Sequence, residues 1–413
     1  MRARWPTAVV LVGLTACAAG GGSATPTATA PIDPVTESTV TTEITVTTVT
    51  TVTTVTATST TVPGTTLVPV PPSTTSPALA TTTAGCGAAS PPAPGDGELP
   101  LTAAGLDGTI IRRLPPSYDG TTPLPVVFGL HGWSQPAVLL GLQSNLPAAA
   151  DRDGFVLVLP HITRSVPIWD AALDGADADW FGAVLDAVES TLCVDPERFF
   201  VTGMSNGAMM ASTVVCRFAD RIAAVGLVAG IRLPDGCAPA RRVPIVAFHG
   251  TDDGFLAYDG GFGPAVARLS SPDGAGTLGD VVAIGPDAVP IPERAAGWST
   301  LNGCGADLDE TRVADDVVAL SVEPCDAPVL LYAVDGGGHT WPGSEFDQSI
   351  GDIVGPTTTS IDATELMLAF FVDAVTGHPA LAPAARTGVQ VRVPVERSCH
   401  GDPRRAVHRP DRG

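Results

Sequence analysis

Six short and almost purely apolar runs punctuate the middle of this chain, at residues 125–130, 155–159, 199–202, 223–229, 243–248 and 328–334. A strand with one wet face alternates apolar and polar residues; these runs do not, so both of their faces must be covered. Runs of this kind suit a parallel sheet between two layers of helices, and the segments between them are long enough for crossover helices. Two of those segments carry the helical period. Residues 177–191 place Phe181, Val184, Leu185 and Val188 at helical spacing, and residues 362–374 place Leu366, Leu368, Phe370 and Phe371 behind an Asp362 cap with Glu365 three residues on. The alternation of strand and helix predicts an α/β fold with ligands at the carboxyl ends of the strands.

The chain opens with Arg2 and Arg4, an apolar stretch from 8 to 14, and then Leu14-Thr15-Ala16-Cys17. That is the layout of an export signal, too short to span a membrane. Leu-Thr-Ala-Cys also resembles the lipobox of bacterial lipoproteins, which makes residues 1–17 the signal and Cys17 the lipid anchor. Residues 18–96 are dominated by Thr, Val, Pro, Ala and Ser and offer no amphipathic pattern, so they read as a disordered linker. Extended at about 3.1 Å per residue, some seventy such residues reach about 200 Å from the anchor. The foldable part is residues 97–377, about 280 residues and the size of one large domain. Residues 378–413 turn Pro-, Arg- and Ala-rich and read as a disordered tail, in which 388–393 is the one stretch suited to a last strand. The expected location is extracellular, on the cell envelope.

The formal charge of −21, with no lysine in the chain, argues against nucleic acid and against anionic lipid as partners. Membrane attachment is then expected through the N-terminal lipid only. Of eight cysteines, setting Cys17 aside leaves seven (8 − 1 = 7): Cys86, Cys193, Cys216, Cys237, Cys304, Cys325 and Cys399. They lie in a compartment where disulfides persist, and an odd number leaves one without a partner among them. No Cys-x-x-Cys or clustered His/Cys spacing occurs, so no metal site is expected.

The chemistry is concentrated where apolar runs end. The run at 199–202 leads into Gly203-Met204-Ser205-Asn206-Gly207, with a helical stretch after it. A sharp strand-to-helix turn crowds the backbone on both sides of Ser205, demands glycine two residues away in each direction, and pushes the hydroxyl out as a nucleophile. The helix N-terminus behind it favours developing negative charge. Upstream, the run at 125–130 ends in His131-Gly132-Trp133, the place for a second oxyanion donor. The backbone N–H groups of Trp133 and Asn206 are the candidate pair, with His131 structural. The run at 243–248 ends in His249-Gly250-Thr251-Asp252-Asp253, where one carboxylate should orient a base; Asp253 is favoured over Asp252. The run at 328–334 leads into Asp335-Gly336-Gly337-Gly338-His339, a histidine on what reads as a flexible glycine loop. His339 is the expected general base and His161 and His249 are its rivals. The order Ser205, Asp253, His339 is that of α/β-hydrolases.

Taken together, Arg113-Leu114-Pro115-Pro116-Ser117-Tyr118, the His131-Gly132-Trp133 turn, the Ser205 elbow, Phe248-His249-Gly250-Thr251-Asp252-Asp253, Trp298 with Asn302-Gly303-Cys304, and Gly337-Gly338-His339-Thr340-Trp341-Pro342-Gly343 resemble the esterase family of polyhydroxybutyrate depolymerases, feruloyl esterases and acetylxylan esterases. The resemblance runs over about residues 105–374. It implies an α/β-hydrolase fold, a Ser205–Asp253–His339 triad, and a disulfide between Cys304 and Cys325. The chain departs from the family where Trp133-Ser134-Gln135 replaces further glycines and where Ala208 follows Gly207.

The function expected is a secreted serine carboxylic ester hydrolase working through an acyl-serine intermediate without cofactor. Its expected substrate is an ester: a hydroxyalkanoate oligomer, or an acylated polysaccharide or phenolic ester. Trp133 and Trp341 are candidates to stack on an aromatic or sugar ring. The alternatives are an acyltransferase acting on an envelope acceptor and a non-catalytic binding lipoprotein.

Overall fold

The computed structural model describes residues 82–281, 289–305, 309–322 and 324–377. The expected signal and anchor at Cys17, most of the linker, the tail with its candidate strand and Cys399 lie outside these residues. Ten strands form one sheet: β1 (Gly95–Ala103), β2 (Leu106–Leu114), β3 (Leu124–Leu130), β4 (Val156–Ile162), β5 (Val194–Met204), β6 (Ala224–Val228), β7 (Ile245–Gly250), β8 (Asp309–Ala314), β9 (Val317–Ser321) and β10 (Val329–Val334). The helices are α1 (Ala137–Ser144), α2 (Leu146–Asp153), α3 (Ala176–Thr191), α4 (Asn206–Phe218), α5 (Leu278–Val281), α6 (Ile291–Leu301), α7 (Glu345–Ser349), α8 (Gly351–Val354) and α9 (Ala363–Thr376).

The strand order is β1-β2-β4-β3-β5-β6-β7-β10-β9-β8. The six strands from β4 to β10 pair in parallel, and they are the six apolar runs of the sequence. Their side chains divide between two cores because successive strand residues point to opposite faces. Val126, Phe128 and Leu130 of β3 join Phe181 of α3, Met210 of α4 and Trp298 of α6 on one face. Val127 joins Leu140 of α1, Ala149 of α2 and Met367 of α9 on the other. Phe200 of β5 stacks on Phe371 of α9 with centroids 4.6 Å apart. Burial on both faces is what makes the runs continuous. Asp362 caps α9, its side chain accepting from the Glu365 N–H at 3.0 Å, and Gly377 closes the helix in the left-handed region at φ 68°.

The antiparallel flanks were not expected. The β1–β2 hairpin extends the sheet beyond β4, and the β8–β9 hairpin extends it beyond β10. Every residue of β8 is exposed or half-buried, so no core pattern marks it. The expected linker boundary at residue 96 also moves. Cys86 is bonded to Cys193, Thr83 Oγ1 donates to the Leu192 carbonyl at 2.7 Å, and β1 has begun by Gly95. A bond spanning 107 residues stabilises by about 5 kcal/mol in the chain-entropy picture, which lets a Pro- and Ala-rich segment join the fold without a core of its own. Cys216–Cys237 and Cys304–Cys325 are the other disulfides among the described residues, the latter as the resemblance implied.

The chain leaves β3 for β4 on one side and returns to β5 on the other, so the sheet reverses direction beside the carboxyl end of β3. In open α/β sheets that is where ligands bind. His131, Ser205, Asp253 and His339 all follow the carboxyl ends of strands on this edge.

Candidate active site

Ser205 stands between β5 and α4 at φ 56°, ψ −121°, a backbone conformation that costs on the order of 1–3 kcal/mol for a residue with a side chain. The neighbouring glycines show why the turn is this tight. A Cβ on Gly203 would lie 2.4 Å from the Gly207 carbonyl oxygen, and one on Gly207 would lie 2.0 Å from the Leu130 carbonyl oxygen. The Ser205 N–H donates to Val228 O at 2.8 Å, tying the turn to the end of β6. The hydroxyl is thus raised above the sheet by the backbone alone.

Asp253 follows β7 and is buried, 5 % exposed, whereas Asp252 is exposed. Its Oδ1 accepts from the N–H groups of Phe255 at 2.8 Å and Leu256 at 2.9 Å. Its Oδ2 accepts from His339 Nδ1 at 2.7 Å, with His249 Nε2 at 3.3 Å. Burial pushes the Asp253 carboxyl up, but the adjacent His339 and the hydrogen bonds from His249 and His339 overcome it and hold the group well below the usual carboxylate range. An ionised carboxylate can only accept, so His339 Nδ1 carries the hydrogen of this bond.

His339 is 6 % exposed and is held in place by a lattice of main-chain bonds. Its N–H donates to Val354 O at 2.7 Å, Gly338 N–H to Pro356 O at 2.8 Å, and Asp252 N–H to Gly337 O at 2.9 Å. The Phe255 ring covers the imidazole with centroids 4.8 Å apart. The glycine loop therefore serves close approach rather than flexibility: a Cβ on Gly250 would lie 2.1 Å from Gly337 O. The two rival histidines are placed differently. His161 is on β4, beyond β3 from the acid, and its ring lies 5.4 Å from that of His131. His249 touches Asp253, but it is 2 % exposed and its Nε2 donates to Leu256 O at 2.8 Å.

The backbone N–H groups of Trp133 and Asn206 donate to no protein acceptor among the described residues. Asn206 opens α4, and its side chain clamps Trp169, accepting from the Trp169 N–H at 2.7 Å and donating to its carbonyl at 3.0 Å. Across the cleft, His131 Nδ1–H donates to Gly132 O at 2.9 Å, at the other end of the peptide unit that carries the Trp133 N–H. Burial pulls His131 down to about 4, so its ring is neutral at pH 7. Trp133 itself is tied by Nε1 to Ser270 O at 2.8 Å.

Trp341 corrects the sequence reading. It is 1 % exposed, its Nε1 donates to Thr364 Oγ1 at 3.0 Å, and it packs in the core under α9. Two supports were missed because only the folded chain brings them in: Trp169, from the irregular segment between β4 and α3, and Asp347 of α7. Asp347 is fully buried; it accepts from the Trp341 N–H at 2.7 Å and from Gln143 Nε2 at 3.0 Å, and burial pushes its carboxyl up. A cavity of about 620 Å³ is lined by Met209 of α4 together with Leu256, Ile231 and Arg232; Ser205, Asp253 and His339 are not part of its wall. Among the described residues no cluster of His, Cys, Asp or Glu is arranged to hold a metal ion.

Comparison with known proteins finds similarity to esterases. Residues 111–249, from β2 to β7 and including the Ser205 elbow, match the family model described as esterase PHB depolymerase. NocK of Nocardia uniformis subsp. tsuyamanensis is 29% identical over 272 residues, 60% of this chain and 74% of NocK. Feruloyl esterase B of Piromyces equi is 24% identical over 245 residues, 56% of this chain and only 42% of that protein. An acetyl xylan esterase from Aspergillus awamori superposes with TM-score 0.43 at 13% identity, covering 62% of this chain and 98% of that one. A parallel sheet with helices on both faces and a strained serine turn after β5 make this an α/β-hydrolase fold, and the stretch that carries the turn, residues 111–249, resembles the esterase PHB depolymerase domain.

Proposed function

We propose that this chain is a serine carboxylic ester hydrolase with Ser205 as nucleophile, His339 as general base and Asp253 as the group that orients it. The reading is carried by one observation: His339 turns Nδ1 to a buried, ionised Asp253 at 2.7 Å, on the same sheet edge as a serine held in a strained elbow. Nε2 takes the Ser205 proton as Oγ attacks the ester carbonyl, and the N–H groups of Trp133 and Asn206 bind the oxyanion. The C–O bond to the alcohol then breaks, Nε2 returns the proton to the departing oxygen, and the acyl group remains on Ser205. Water, deprotonated by His339, releases the acid. Asp253 stays ionised throughout and stabilises the imidazolium.

Hydroxyalkanoate oligomers and acetyl or hydroxycinnamoyl esters of polysaccharide are the substrates this reading favours, by similarity to relatives named as feruloyl esterases. Three disulfides support life in an oxidising compartment, consistent with export and lipid attachment through residues 1–17. The test is hydrolysis of p-nitrophenyl butyrate by the full chain and by Ser205→Ala. Turnover lost in the variant supports the reading. Equal rates in both reject it.

A further inference from the structure

The Asp253 carboxylate has more donors than a triad acid needs. Oδ1 is held by two backbone N–H groups, from Phe255 and Leu256. Oδ2 meets His339 Nδ1 and, from the opposite side of the turn, His249 Nε2 at 3.3 Å. His249 Nε2 also lies 2.8 Å from Leu256 O. Both of its neighbours are acceptors, so this nitrogen carries hydrogen and shares it between the carbonyl and the carboxylate. The other nitrogen, Nδ1, is buried without a hydrogen-bond partner among the described residues. Such an orphan is costly, and an apolar side chain of similar shape would avoid it. The contribution of His249 therefore lies in its Nε2–H.

We infer that His249 is a positioning residue for the base: from the end of β7 it fixes the Asp253 carboxylate so that Oδ2, rather than a rotated oxygen, faces His339. The inference rests on the serine-esterase reading above. With both backbone donors on Oδ1, Oδ2 would otherwise be held only by His339, the group that must itself gain and lose a proton in each cycle. His249 supplies a donor to Oδ2 that does not take part in that exchange. It also satisfies part of the carboxylate charge and so reduces what the imidazolium must satisfy. The charged and titratable groups facing this pair are few: Asp253 and His339 themselves, buried Asp347 of α7 beyond His339, and Tyr258, whose ring lies 6.1 Å from that of His249.

The test uses the full chain with His249→Leu and His249→Gln, since a glutamine amide can return a donor to the Nε2 position. His249→Leu should lower kcat/KM on p-nitrophenyl butyrate by about tenfold or more, mostly in kcat. The acid limb of its pH profile should move upward, because a carboxylate short of one donor favours the imidazolium. His249→Gln should recover both. A merely structural role predicts a lower Tm with the acid limb unmoved and no selective recovery by Gln, and that result overturns the inference. The proton spectrum reads the same point without turnover. The low-field resonance of the His339 Nδ1–H shared with Asp253 should shift in His249→Leu and return in His249→Gln; an unchanged resonance also overturns the inference. Failure of the esterase reading is separate: it appears as wild-type turnover that does not depend on Ser205.

Discussion

The two glycine-rich turns hold Ser205, the proposed nucleophile, and His339, the proposed base, by opposite means. The elbow after β5 presents Ser205 through backbone strain, with φ at 56° and glycines packed against carbonyl oxygens on both sides, and the serine side chain plays no part in keeping it there. The loop after β10 presents His339 through hydrogen bonds, to Val354 and Pro356 along the main chain and to Asp253 through the ring. A nucleophile needs to be lifted out of the sheet, and steric crowding does this well. A base needs one tautomer and one ring orientation, which only a directional acceptor can specify. The elbow should therefore fail through volume and the base loop through loss of a single partner.

The largest effect that separates the two is Asp253→Asn. It preserves shape but removes the ionised acceptor that fixes the tautomer, and kcat should fall by about 10⁴-fold, with Tm lowered as well because the buried donors lose their carboxylate. A fall of less than tenfold would mean that the main-chain lattice alone orients His339. Next comes Gly207→Ala, where the new methyl would meet Leu130 O at 2.0 Å; destabilisation of about 3 kcal/mol or more in thermal unfolding is expected. Gly336→Ala is its counterpart on the base loop. That glycine has φ 67° and open space around its Cβ position, so only the left-handed strain of about 1 kcal/mol should appear. Equal costs at the two sites would erase the distinction.

Acid should also divide the two sides. His131 lies beneath the elbow, is buried neutral and is pulled down to about 4. Between its unfolded value near 6.5 and about 4 the unfolded chain binds the extra proton. Its contribution is therefore complete above about 6.5 and is lost as pH falls through about 4, for a total of about 3 kcal/mol. Denaturant midpoints between pH 7 and 4 should fall accordingly, and less steeply in His131→Gln. Asp253 is depressed below the usual carboxylate range, so its contribution is present above that range and goes only at still lower pH. Identical pH dependence in His131→Gln and the parent would remove His131 from this account.

Legibility followed burial. The six parallel strands could be read because two covered faces leave continuous apolar runs, and Ser205, Asp253 and His339 could be located because each follows the end of one. The hairpins could not: β8 is charged and open to solvent, and β1 alternates half-buried with exposed residues. Asp252 and Asp253 differ in burial, with only Asp253 turned inward, and no local pattern in the sequence carries that difference. Trp341 misled because a large aromatic beside a base reads the same whether it faces substrate or core. His249, Asp347 and Trp169 act through contacts made across the fold, and nothing in their local spacing announces them.

The most direct test of the central claim is intact-mass analysis of the full chain after exposure to a serine-directed alkyl phosphonate, followed by peptide mapping. The account predicts a single adduct on Ser205, formed slowly or not at all in His339→Ala and absent in Ser205→Ala. No adduct on the parent chain, or one on a different serine, would contradict it.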